Sequence, residues 1–169
     1  MEMKPELAAA FNRQITLEME SSLAYLQMSA WFDAKSLSGM ASWMRVQAEE
    51  ERTHALKFFD YILERGNEVT LEAIPGPDPS SFATPVDVFS VALAQERKVS
   101  AAIADLYDAA STARDAASFP LLQWFLEEQV EEESTVSEIV DQLAMIGDNG
   151  AALLLLDREL GSRIATPEA

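Results

Sequence analysis

Apolar residues recur at spacings of three and four along four long stretches of the chain. One face collects Leu7, Phe11, Tyr25 and Phe32 in the first stretch and Met40, Met44, Phe58 and Ile62 in the second. Phe89, Leu93, Val99 and Ile103 do so in the third, and Leu122, Phe125, Val136, Val140 and Leu143 in the fourth. This is the period of an amphipathic α-helix, whose one apolar stripe must be covered by another element. No stretch alternates strictly between apolar and polar residues as a half-buried strand would, so the pattern predicts an all-α protein.

Helix punctuation bounds the stretches. Pro5 suits a first helical position, and Ser36-Leu37-Ser38-Gly39 breaks the pattern, which gives a helix over residues 5–34. A second over 38–65 stops at Gly66. Thr84-Pro85-Val86-Asp87 opens a third over 85–114, where Thr84 can cap and Asp87 favours the positive end of the helix dipole. Ser118-Phe119-Pro120 opens a fourth over 119–146, which ends at Gly147. A short fifth segment, 149–160, is apolar along Ala151-Ala152-Leu153-Leu154-Leu155-Leu156.

Four helices of about 42 Å each describe a four-helix bundle in one domain spanning residues 1–169. The first and third links are short and imply antiparallel hairpins. The central link is rich in proline and can reach about 60 Å, enough to run the length of the bundle and make the second and third helices parallel. The expected architecture is therefore a bundle with one long crossover connection and a short C-terminal helix.

Polar residues interrupt every apolar stripe near its middle: Glu18 in the first, Gln47, Glu51 and His54 in the second, Glu96 in the third, Gln129 and Glu132 in the fourth. Midpoints lie at one height whichever way a helix runs, so these side chains can meet. An ionised carboxylate in an apolar interior needs a partner, and no Lys lies on these stripes. A metal cation is the simplest counter-charge. Glu51 and His54 share a helix face at i, i+3, and hard oxygen ligands with one imidazole suit iron or manganese. Carboxylates can also bridge two ions about 3.5–4 Å apart.

Composition sharpens this. The chain has no cysteine, which excludes disulfides, thiolate zinc sites, iron–sulfur clusters and a four-cysteine iron centre. A net charge of −17 argues against nucleic acid or an anionic membrane as partner. Between Arg114 and Arg158 there is no basic residue, while Glu127, Glu128, Glu131, Glu132 and Glu133 cluster there. Like charges at i, i+4 each cost a few tenths of a kcal/mol, which a bound cation would reverse. The start of the chain carries no basic and apolar signal region and no apolar run reaches spanning length, so a soluble cytoplasmic protein is expected.

Four segments carry a family resemblance. Leu17-Glu18-Met19-Glu20-Ser21-Ser22-Leu23-Ala24-Tyr25, Glu50-Glu51-Arg52-Thr53-His54-Ala55, Gln95-Glu96 and Gln123-Trp124-Phe125-Leu126-Glu127-Glu128-Gln129-Val130-Glu131-Glu132-Glu133 resemble the four helices of a non-haem prokaryotic ferritin. The resemblance implies the ferritin-like fold. It implies that Glu18, Glu51 and His54 hold one iron, that Glu51 bridges to a second held by Glu96, and that Gln129 stands beside the pair. It matches Glu50, Glu128, Glu131 and Glu132 to a third iron site, and Tyr25 to a tyrosine engaged in electron transfer or hydrogen bonding. The implied activity is ferroxidase: Fe(II) oxidised by O2 or H2O2 and stored as ferric mineral in a homo-oligomeric 24-subunit shell. Bacterioferritins place a haem-ligating methionine directly after the second-helix glutamate and repeat Glu-x-x-His on the fourth helix. Here Arg52 follows Glu51 and no second histidine exists, so no haem is expected. Two other readings of the residues stay open: a soluble di-iron or di-manganese oxidase or peroxide scavenger that stores nothing, and a metal-free helical interaction module.

Overall fold

The structure, a computed structural model, describes residues 1–163. It consists of α1 (Pro5–Asp33), α2 (Ser38–Glu64), α3 (Pro85–Ala113), α4 (Phe119–Ile146) and α5 (Gly150–Leu160), with a single 3-10 turn over Ala116–Ser118. Among the described residues there is no strand.

Local chemistry sets most helix ends. Pro5 stands in the first turn of α1, where no intrahelical N–H is lost. Thr84 and Asp87 form a reciprocal capping box at α3: the Thr84 amide donates to Asp87 Oδ2 at 2.8 Å and the Asp87 amide to Thr84 Oγ1 at 3.3 Å. Asn149 is the cap of α5, accepting from the Ala152 amide at 3.2 Å, so that helix starts one residue later than the sequence pattern suggests.

The start of α2 is different. Leu37 offers no capping side chain, and the Met40 amide instead donates to Asp157 Oδ1 of α5 at 2.8 Å. A carboxylate at a helix N-terminus is favoured by the dipole, so α5 caps α2 from outside. The approach is close: a Cβ on Gly39 would stand 1.7 Å from the Asp157 carbonyl oxygen. Only glycine admits α5 at this distance.

The interior is two apolar clusters with a polar belt between them. One cluster joins the end of α1 (Tyr25, Met28, Phe32), the starts of α2 and α3 (Met40, Met44, Phe89) and the end of α4 (Val136, Leu143). The other joins the start of α1 (Leu7, Phe11), the ends of α2 and α3 (Phe58, Ile62, Ile103) and the start of α4 (Leu122, Phe125). The starts of α2 and α3 therefore sit at the same end and the two helices run parallel, as the crossover demands. That crossover is strapped along α1: Asn12 donates to the Glu68 carbonyl at 3.2 Å and accepts from the Thr70 amide at 2.6 Å, and Phe82 meets Trp31 near the far end.

Backbones of α1 and α2, of α3 and α4, and of α1 and α3 approach closely. Between α2 and α4 large rings keep the axes apart, with Phe58 stacked on Phe125 at 4.2 Å between centroids. Among the described residues no helix is long and apolar enough to cross a membrane.

Candidate metal centre

Each stripe residue that interrupts an apolar face points inward. Glu18, Gln47, Glu51 and Glu96 are fully buried, and His54, Gln129 and Glu132 nearly so. The helical phase explains this: each belongs to the same face as the core residues one turn above and below it.

Glu18, Glu51 and His54 each bring one ligand atom within 4.8 Å of the others. Gln14 donates to Glu18 Oε1 at 2.8 Å and fixes that carboxylate. Glu18 Oε2, both oxygens of Glu51 and Gln129 Oε1 are buried without a hydrogen-bond partner among the described residues. His54 Nδ1 faces Glu51 Oε2 at 3.6 Å, beyond hydrogen-bonding distance. Edge-on contacts with Trp124 and Phe125, at 5.6 and 5.5 Å between centroids, hold the imidazole plane.

Across the belt, Glu96 accepts from the Tyr25 hydroxyl and, at 3.3 Å, from Gln129 Nε2. The same Gln129 amide donates to Ser100 Oγ and to the Glu96 carbonyl, leaving its oxygen turned to the interior. Glu132 accepts from Gln47 Nε2 at 2.8 Å.

Electrostatics make one unit of these groups. Burial, and then the charge of Glu51, raises the Glu18 carboxyl far above its ordinary value. Burial followed by Glu96 pushes Glu51 up to about 7, while His54 pulls it down. Burial followed by Glu132 pushes Glu96 up to about 7. Burial raises Glu132 as well, and burial with the neighbouring Glu96 raises the Tyr25 phenol. Glu51 feels both the Glu18 and His54 side and the Glu96 side. Unbonded buried carboxylate oxygens each cost free energy, and a multivalent cation is the ligand that would satisfy several at once. The donor set, hard oxygens with one imidazole, fits iron.

The pH consequences have opposite signs for stability and for binding. In the metal-free protein Glu51 and Glu96 hold protons up to about 7 that an unfolded chain releases near 4.5, so their contribution to stability falls as pH rises from 5 to 8. Ligation needs the ionised form, so cation affinity rises over the same window. Titration calorimetry with Zn(II) at pH 6 and pH 8 is expected to show binding about tenfold tighter at pH 8 for each carboxylate that must ionise, with a lower melting temperature of the metal-free protein at pH 8 than at pH 5. Equal affinity at both pH values would contradict it.

The four carboxylates assigned by resemblance to a third site are placed less uniformly. Glu50 and Glu132 lie close enough for the charge of one to raise the pKa of the other. Glu128 is half-buried, and Glu131 is exposed on α4. Of the polar neighbours not identified from the sequence, Ser100 accepts from Gln129, and two others bear on the carboxylates directly. Gln14 could have been found, since it precedes Glu18 by one turn on the same face. Arg163 could not: it lies beyond α5, yet its guanidinium donates to Gln47 Oε1 and, at 2.7 Å, to Glu50 Oε2.

A four-helix bundle with one crossover and a buried ring of carboxylates and one imidazole is the architecture of the helical carboxylate-centre class, in which such side chains project inward from facing helices. The chain belongs to the ferritin family: the family model for the ferritin-like domain matches residues 8–146. It is 40% identical over 161 residues to a bacterial non-heme ferritin of Staphylococcus epidermidis, covering 95% of this chain and 96% of that one. It is 35% identical over 160 residues to a bacterial non-heme ferritin of Escherichia coli O157:H7, with 95% and 96% covered. Among solved structures it resembles a closed form of Archaeoglobus fulgidus ferritin engineered by site-directed mutagenesis, with a TM-score of 0.94 and 41% identity over 98% of this chain and 100% of that one. It also resembles the open-pore ferritin of the same archaeon, with a TM-score of 0.93 and 41% identity over 95% and 98%.

Proposed function

We propose that this chain, as one ferritin-like domain, is a ferroxidase and iron-storage protein whose substrate is Fe(II). The observation that carries the reading is the set of unbonded oxygens on Glu18 and Glu51 beside His54, with Glu96 across from them. Glu18 and His54 hold one iron, Glu96 the second, and Glu51 spans both. Gln129 turns its amide oxygen toward the pair and Tyr25 orients Glu96 through its hydroxyl.

Carboxylates stabilise Fe(III) over Fe(II) because the higher charge gains more from anionic oxygen ligands, so the site favours oxidation. Each Fe(II) gives up one electron. A pair reduces O2 to H2O2, or H2O2 to two waters, with two protons drawn from solvent in either case. The oxidised ions then move to the cavity of a homo-oligomeric shell, taken as 24 subunits, and form mineral. Glu50, Glu128, Glu131 and Glu132 serve as the third iron site on that route, and the net charge of −17 concentrates cations around the shell. The protein acts in the cytoplasm.

Aerobic addition of Fe(II) to metal-free protein, followed by sedimentation, tests this. The expected result is a shell-sized particle carrying far more iron per chain than the centre's ligands can hold. Rapid oxidation in a small oligomer that retains only centre-bound iron would instead establish a di-iron or di-manganese oxidase or peroxide scavenger. Absence of specific iron binding would leave a metal-free helical module.

A further inference from the structure

The inner stripes carry no Lys, yet a guanidinium reaches the polar belt from beyond α5. Arg163 follows the end of α5 and places its guanidinium over the face of Trp43, 4.9 Å from the ring centroid. From there its two terminal nitrogens reach Gln47 and Glu50. Gln47 in turn holds Glu132 through its amide, so one hydrogen-bonded chain runs from Glu50 through Arg163 and Gln47 to Glu132. The Arg163 charge lowers the pKa of Glu132, opposing Glu50. A planar fork that spans two acceptors while stacking on an indole is a task for arginine and not for lysine.

We infer that Arg163 is a built-in counter-cation for Glu50 and Glu132, and that a metal ion binding these two carboxylates must displace it. A divalent ion held by Glu50 and Glu132 and a guanidinium held by Glu50 would stand on one carboxylate and repel each other strongly in a half-buried setting. The displaced group stands next to the α5 latch. Asp157 caps α2, and a Cβ on Gly161 would stand 2.8 Å from Gly39 Cα, so Arg163 follows directly from the point where α5 is pinned. Loading of Glu50 and Glu132 is thereby coupled to the ordering of the α5 end. Coupling is reciprocal: whatever factor the docked guanidinium takes from metal affinity, bound metal takes from its docking.

This inference rests on reading the inner carboxylates as metal ligands, and the test separates the two. Zn(II), which does not change oxidation state, is titrated into wild-type protein, R163A and R163Q, and hydrogen exchange is followed over the end of α5 with and without Zn(II). R163Q keeps most of the side-chain length and removes the charge, so agreement between the variants excludes a folding artefact. The expected result is an unchanged tight event at the centre and a weaker event strengthened about 5- to 150-fold in both variants, the usual span of a coupling free energy. In wild-type protein Zn(II) should also speed exchange at the α5 end, and in the variants it should not. Superimposable isotherms, with exchange in wild type indifferent to Zn(II), would overturn the inference while leaving the centre intact. No Zn(II) binding in any of the three would overturn both.

Discussion

Replacing His54 with Ala is expected to slow the rapid phase of Fe(II) oxidation by at least about 100-fold. Loss of a group that merely orients a metal ligand already costs up to about that factor, and His54 is assigned as a ligand itself. No second imidazole exists in the chain to take its place. The fold should persist, because the side chain makes ring contacts with Trp124 and Phe125 while the two apolar clusters lie above and below it. His54→Gln, which retains much of the volume, should show the same kinetic loss. Stopped-flow absorbance after mixing with Fe(II), together with circular dichroism of both variants, checks this. A wild-type rate in either variant would show that the centre has been assigned to the wrong residues.

The second large effect is on stability. Glu51→Gln is expected to make the metal-free protein more stable and to abolish tight metal binding. Glu51 is fully buried, its two oxygens have no hydrogen-bond partner among the described residues, and its pKa is raised from 4.5 to about 7. Holding it ionised above that value costs roughly 3 kcal/mol, and a neutral amide of the same shape avoids most of that cost. For a chain of this size the gain is about 4–10 °C in melting temperature at pH 8. The difference depends on pH: at pH 5 Glu51 is already protonated, so wild type and variant should melt nearly together, and the gap should open as pH rises through 7. With saturating Zn(II) at pH 8 the order should reverse, since only wild type gains binding free energy. Differential scanning calorimetry at the two pH values decides it. A Glu51→Gln protein less stable than wild type at pH 8 without metal would mean that Glu51 is satisfied in some other way.

Much of this arrangement was legible before any coordinates. The stripes on α1 to α4 could be phased because residues such as Phe11, Phe58, Val99 and Phe125 leave only one face for the core, and Glu18, Glu51 and Glu96 fall on that face. A carboxylate on an apolar stripe is conspicuous in a pattern, whatever it binds. The run Leu153-Leu154-Leu155-Leu156 marks the limit of such reasoning. Consecutive residues on a helix point about 100° apart, so four cannot share a face. Leu156 is buried, while Leu154 and Leu155 are 50% and 65% exposed.

What was not legible depends on partners remote in sequence. The carboxylate that caps α2 lies 117 residues from the amide it accepts, and no local motif announces it. Arg163 reaches Glu50 by extending a long side chain from beyond a helix end, a contact that helical periodicity cannot encode. Resemblance grouped Glu131 with the third-site carboxylates, yet it is exposed while Glu132, its immediate neighbour, is buried, because adjacent positions on α4 face different ways. The inner stripes hold no Lys, which makes metal the simplest counter-charge for Glu18, Glu51 and Glu96; Arg163, outside those stripes, pairs instead with Glu50, a cation that the stripe pattern does not show.

The central claim is that Glu18, Glu51, His54 and Glu96 form one centre for two iron ions. Anomalous diffraction at the iron edge from crystals soaked anaerobically in Fe(II) tests it most directly. Two peaks are expected inside the bundle, one against Glu18, Glu51 and His54 and one against Glu51 and Glu96. Iron found only on exposed carboxylates such as Glu131, with none among the four buried side chains, would contradict it.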